Sequence, residues 1–160
     1  NVDVNTNVDT MLKEEYDLEG KKLDKKIKEF GNTVREKLDR IDTTINNEKN
    51  GIIIGYTAPA KATTLISGLS EEARGKITLI IDDAPFKKNK YIPGTKIKVV
   101  NAEKFKEIYK KEWGGKPDLT CVIFAWNIAE SIHQKITKEQ IMPIKTTYIK
   151  PLPNLKIIDE

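Results

Sequence analysis

From Gly51 onward the chain alternates apolar runs of strand length with segments of helical spacing, and that alternation leaves few folds open. Strands are expected at 51–55, 76–81, 97–100, 119–124 and 144–149. Helices are expected at about 60–68, 102–113 and 127–136, with a weaker one near 70–74. Alternation of this kind builds right-handed βαβ units, which stack into a parallel sheet with helices on both faces. The runs Ile77-Thr78-Leu79-Ile80-Ile81 and Cys121-Val122-Ile123-Phe124-Ala125 lack clean in–out alternation, as strands buried on both faces do. The expected fold class is α/β: a Rossmann-like three-layer fold with a mostly parallel five-stranded sheet, preceded by a long amphipathic helical segment.

That segment spans 11–49. Leu23, Ile27, Phe30, Val34, Leu38, Ile41 and Ile45 recur at steps of three and four, which sets them on one stripe of a helix. Gly20 and the Gly31-Asn32 pair are weak points where one helix would become two. Such a stripe needs a cover, from its own chain, from a neighbouring domain, or from a second copy in a homodimer through the amino-terminal helix. Residues 1–10 are polar and Asn-rich and are expected to be disordered or frayed. The 160 residues then divide into this terminus, the helical segment and a Rossmann-like domain over 50–160. The chain begins at Asn1 without an initiator Met, which fits a processed product or a piece of something longer.

Composition removes several function classes. No apolar run approaches the roughly 20 residues of a membrane-spanning helix, and the first residues lack the blocks of a secretory signal, so a cytoplasmic protein with no membrane partner is expected. The net charge of +4 comes with interleaved acids. Lys21, Lys22, Lys25, Lys26 and Lys28 read as a solvated helix face without the interleaved aromatics of a nucleic-acid groove, so no nucleic acid is expected. A basic balance suits an anionic small ligand without identifying it. One Cys and one His cannot assemble a structural zinc site, and Cys121, inside an apolar run, reads as a buried core thiol.

In open α/β sheets the ligand sits beyond the carboxyl ends of the strands. The candidates are therefore Gly55 to Thr64 after the first strand, Asp82 to Lys87 after the second, Trp126 and Asn127 after the fourth, and Pro151-Leu152-Pro153 after the fifth. Small residues at a strand-to-helix turn let backbone approach a phosphate, the helix start offers free N–H groups, and Lys61 adds charge. The loop is neither the GxGxxG fingerprint nor a Walker loop, and no acidic, multi-glycine loop for adenosyl-methionine (SAM) is present, so no cofactor is expected in this chain. Asp82 follows by roughly 20 residues, where dinucleotide folds place a ribose-binding acid; capping a loop is its other reading. Pro93-Gly94-Thr95 reads first as a turn and second as a ligand-facing turn. Trp126 would stack on a ring or close the core, and Asn127 would cap a helix at Ile128 or reach a ligand. His133 lacks the companions a catalytic role would require, and no catalytic residue is assigned.

Read in order, these blocks resemble sugar C-methyltransferases. Gly55-Tyr56-Thr57-Ala58-Pro59-Ala60-Lys61-Ala62-Thr63-Thr64-Leu65 is similar to their "GYGAPAKGNTLL" stretch. Asp82-Asp83-Ala84-Pro85-Phe86-Lys87 with Tyr91-Ile92-Pro93-Gly94-Thr95 resembles "DDNPxKxGxYxPGTHIPI", Ala125-Trp126-Asn127 resembles "AWN", and Pro151-Leu152-Pro153 resembles the closing "PLP". The resemblance is to the C-terminal domain alone. It implies a Rossmann-like domain that holds the diphosphate of a nucleotide-sugar substrate in deoxysugar biosynthesis, facing a SAM-dependent methyltransferase domain or subunit that this chain does not contain. By the same resemblance Gly55, Tyr56, Thr57, Ala58, Pro59, Lys61 and Thr63 line the diphosphate and sugar. Asp82, Pro85, Lys87, Gly94 and Thr95 form a facing loop, and Trp126 with Asn127 a third wall. Thr57 replaces the usual second Gly, Ala62 a frequent Gly, Ala84 an Asn, Asn89 a Gly and Lys96 a His. These departures leave a second expectation open: a non-catalytic assembly module with a degenerate nucleotide cleft.

Overall fold

The central strand follows directly from the Ile-rich run. Gly51–Tyr56 (β1) is hydrogen-bonded in parallel on both sides, to Ile77–Ile81 (β2) and to Asp118–Ile123 (β4). Lys98–Val100 (β3) extends the sheet beyond β2, and Thr146–Lys150 (β5) extends it beyond β4, both in parallel. The computed structural model describes residues 5–16, 21–48, 51–115, 117–143 and 145–158. The strand order is β3-β2-β1-β4-β5-β6, so the chain reverses its direction of travel between β1 and β4. Where the sequence leads to five strands, the sheet has six: Lys156–Ile158 (β6) pairs antiparallel with β5. Three residues with two exposed side chains carry no periodicity to read, so this edge strand is invisible until its partner is placed.

Helices cover both faces. Ala60–Gly68 (α3) and Glu71–Lys76 (α4) follow β1, whereas Ala102–Lys111 (α5) and Ala129–Lys138 (α6) flank β4 in sequence. Two apolar clusters result. One joins Ala62, Leu65 and Ile66 of α3 to Ile53, Ile80 and Val122; the other joins Phe105 and Ile108 of α5 and Ile132 and Ile136 of α6 to Ile54, Ile81 and Ile123. Neighbouring residues of one strand thus fall into opposite clusters, which is why these runs show no polar alternation. Cys121 is fully buried, as its apolar setting leads one to expect, and burial pushes its thiol up. Local chemistry ends the helices: the Ser70 hydroxyl accepts from Ala73 N at 3.1 Å to open α4, and Asn101 Oδ1 accepts from Lys104 N at 3.1 Å to open α5.

The amino-terminal segment forms Asn5–Tyr16 (α1) and Lys21–Asn47 (α2). Asn5 to Thr10 are helical; the rest of the 1–10 segment, and Gly20, lie outside the described residues. Gly31 does not break α2, and a side chain there would meet nothing within 4 Å. The chain divides into two compact units, Asn1–Glu36 and Lys37–Glu160. In the second, Ile41 and Ile45 of α2 are buried in the cluster with α3, worth about 1.5–3 kcal/mol for each such side chain. Polar latches fix this stretch: Asp42 Oδ1 accepts from Ser70 N at 2.8 Å, Lys76 Nζ donates to the Asn46 carbonyl at 2.7 Å, and Thr120 donates to Glu48 at 3.0 Å. In the first unit Leu23, Ile27, Phe30 and Val34 are exposed.

Candidate functional site: the crevice at the strand tips

The strand order reverses between β1 and β4, and the carboxyl ends at such a reversal are the position where doubly wound sheets take ligands. Packing beneath these tips explains Gly55. A Cβ there would lie 2.5 Å from Phe124 Cε2 and 2.7 Å from Ile80 Cγ1, so the missing side chain is the space the Phe124 ring fills. Gly55 thus serves close packing under the loop. Tyr56 is 4 % exposed and packs in the cluster of α5 and α6. Its hydroxyl has no hydrogen-bond partner among the described residues, and burial pushes the phenol up.

Immediately after β1 the chain turns through Thr57, whose φ of 63° is left-handed. That conformation costs an L-residue about 1–2 kcal/mol, and a β-branched one is an outlier there. Two hydrogen bonds hold it: Thr57 N donates to Ile81 O at 2.7 Å, and its hydroxyl donates to Tyr56 O at 2.6 Å. Pro59 then precedes the first residue of α3 at φ −71°, a conformation its ring favours. Thr63 is half-buried on the first turn of α3.

The tip of β2 is tied to this turn through Asp82, only 9 % exposed. Its Oδ2 accepts from Ala58 N at 2.7 Å and from Lys87 Nζ at 2.8 Å, and its Oδ1 accepts from Ala84 N at 3.0 Å. Burial works to raise the Asp82 carboxyl, but the hydrogen bonds from Lys87, Ala58 and Ala84 outweigh it and hold the group below the usual carboxylate range. Of the two readings of Asp82, loop capping is the one its contacts display. Lys87, expected to pair with a diphosphate, belongs to the same cluster, with its ammonium on the Asp82 carboxylate. Pro85, exposed, starts the short 3-10 turn Pro85–Lys87 that carries this lysine back to Asp82.

On the β4 side, Lys61 of α3 donates from Nζ to Asn127 Oδ1, and the same Nζ lies 4.4 Å from the centroid of the Trp126 ring. Trp126 and Asn127 come from the 3-10 turn Trp126–Ile128 at the tip of β4. Lys61 therefore links the start of α3 to the turn at the tip of β4. Its partners are a neutral amide and a π face; among the described residues no carboxylate pairs with it. Asn127 does not cap α6, which begins at Ala129 without a side-chain cap. Trp126 is half-buried against the core, with Lys61 over its ring.

Gly94 and Thr95 do not join this cluster. They line a separate cleft with Arg74, Thr78 and Lys96, beside α4 and the start of β2. Gly94 takes φ +72° in the turn, while the Thr95 hydroxyl donates to Ile92 O at 2.9 Å and accepts from Ile97 N at 3.1 Å. They precede β3, so a parallel sheet carries them to the amino ends of the strands, which corrects their reading as part of the facing loop. Pro151 is buried, and Lys37 Nζ donates to the Pro153 carbonyl at 2.5 Å, fixing the segment after β5 against the second half of α2. The sequence reading missed the backbone N–H groups of Ala58 and Ala84, which carry no side-chain signal, and the exposure of Phe86.

Strand order, with its reversal between β1 and β4, and two covered faces define a doubly wound, Rossmann-like α/β domain. The chain belongs to the C-methyltransferase C-terminal domain family, which matches residues 1–153. No curated protein matches it. Two of the positions where this chain departs from the glycines of the resembling motifs, Thr57 and Asn89, both have φ 63°. The turn geometry that glycine suits is kept without the glycine.

Proposed function

We propose that this chain is the substrate-holding part of a SAM-dependent sugar C-methyltransferase. The crevice between β1 and β4 takes the diphosphate of a nucleotide sugar, with Lys61 as its cationic contact and the sugar presented to a methyl-donor domain. The observation that supports this most is the contrast between the two crevice lysines: Lys87 is neutralised by Asp82, whereas Lys61 stands at the switch point with no acid partner among the described residues. An anion arriving there meets an uncompensated charge on a side chain already oriented, which lowers the cost of ordering it. Holding the distant nucleotide fixes where the sugar carbon sits, a contribution of position and not of chemistry. Calorimetric titration of the protein with nucleoside diphosphates and nucleotide sugars tests the reading. Saturable binding to one or more of them supports it, and no binding to any overturns it.

One observation favours a second reading, an assembly module. Leu23, Ile27, Phe30 and Val34 lie exposed at coiled-coil spacing on α2, a face suited to a second copy. Light scattering separates the two. A dimer that Ile27→Lys and Phe30→Lys dissolve, together with no nucleotide binding, favours assembly alone.

A further inference from the structure

The turn from Gly94 to Ile97 lines a cleft of about 770 Å³ at the amino ends of β2 and β3, the opposite end of the sheet from Lys61. Glu71, Arg74 and Gly75, spaced to share one face of α4, line it from the helix side. Ile77 and Thr78 line it from the start of β2. A Cβ at Gly75 or at Gly94 would meet nothing within 4 Å, so the space beside both backbones is open. Both sides are anchored in one apolar cluster, which holds Ala73 and Ile77 as well as Ile92 and Ile97. The Thr95 hydroxyl closes the turn, donating to Ile92 O at 2.9 Å and accepting from Ile97 N at 3.1 Å. The lining is therefore built before any ligand arrives.

Two cations face this space, and neither is compensated. Arg74 is half-buried and Lys96 exposed, and among the described residues neither side chain makes an ion pair or a hydrogen bond. The same holds for the Thr78 hydroxyl. Lys76, two residues from Arg74, is by contrast tied to Asn46 O at 2.7 Å and to Glu72 at 3.5 Å. Glu71 is the one acid in the lining, so the cleft keeps a net positive charge.

We infer that this cleft is a second anion site, separate from the strand tips, which takes the phosphate group of a small phosphate ester. A guanidinium presents its donors as a planar fork that matches two phosphate oxygens, which is the part assigned to Arg74. Lys96 adds charge from the turn, and Thr78 offers a hydroxyl donor. The volume falls within the roughly 300–1,000 Å³ of small-molecule sites, which leaves room for the organic part of the ester beside its phosphate.

The test is titration of the isotope-labelled chain with inorganic phosphate and with glycerol 3-phosphate, read by backbone amide shifts against sodium chloride of equal ionic strength. Saturable shifts are expected with both probes at Gly75, Thr78, Gly94 and Lys96. Arg74→Ala is expected to weaken binding by about tenfold, and Lys96→Ala, more exposed and more screened, by about threefold. Lys61→Ala should leave the titration of these four amides as in the wild type. Lys96 lies exposed on a turn, so its variant keeps the test open if Arg74→Ala does not fold. Shifts no larger than those in chloride, or affinities unchanged in Lys96→Ala and in a folded Arg74→Ala, would overturn the inference.

Discussion

The Asp82 carboxylate and the Lys87 ammonium meet at 2.8 Å at the tip of β2, and the same oxygen of Asp82 accepts Ala58 N from the tip of β1. One buried acid thereby joins two neighbouring strand ends and fixes the turn between them.

Asp82→Asn should destabilise the fold by about 1.5–3 kcal/mol at neutral pH, because an amide loses the charge-assisted contacts and turns a donor toward Lys87. The folded carboxyl lies below its ordinary 3.8, so its stabilisation is present above that value and is lost as pH falls through the lower, folded one. Denaturant unfolding of wild type and variant across acidic pH checks this. The difference between them should be full at neutral pH and shrink below about pH 4.

Thr57 offers a test of backbone strain. At an ordinary loop site, replacing Ala by Gly lowers stability by about 0.4–1 kcal/mol. At φ 63° the order should reverse, with Thr57→Gly more stable than Thr57→Ala by about 1 kcal/mol. Chemical denaturation of the two variants reads the sign directly.

Gly55→Ala should cost about 1–3 kcal/mol through overpacking against the buried Phe124 ring. The double variant with Phe124→Leu, which makes room for the new methyl, should be less destabilised than the two single changes summed. Additive losses would locate the cost elsewhere.

The fold was legible because its strands are long, Ile-rich and separated by helical spacing; β1, β2 and β4 sit close to where the residues placed them. Lys61, Trp126 and Asn127 were named from strand-end position and from the resembling motifs, and they come into contact because the strand order reverses between β1 and β4. Lys87 was legible as a cation but not as a neutralised one, because its pairing with Asp82 depends on a turn conformation that composition does not encode. Gly94 and Thr95 were assigned to the crevice on motif order. Only the path of the chain down the edge of β3, with Ile92 N on Ile97 O at 2.9 Å, carries them to the opposite end of the sheet. β6 was missed for want of length.

The nucleotide reading stands on Lys61, and the most direct measurement is the affinity of a nucleoside diphosphate that binds the wild type for Lys61→Ala, with thermal unfolding alongside. Losing one charge-assisted contact should weaken binding by about tenfold to a hundredfold. Stability should move by less than about 0.5 kcal/mol, as for an ordinary surface substitution. Binding by Lys61→Ala that equals the wild type would contradict the account.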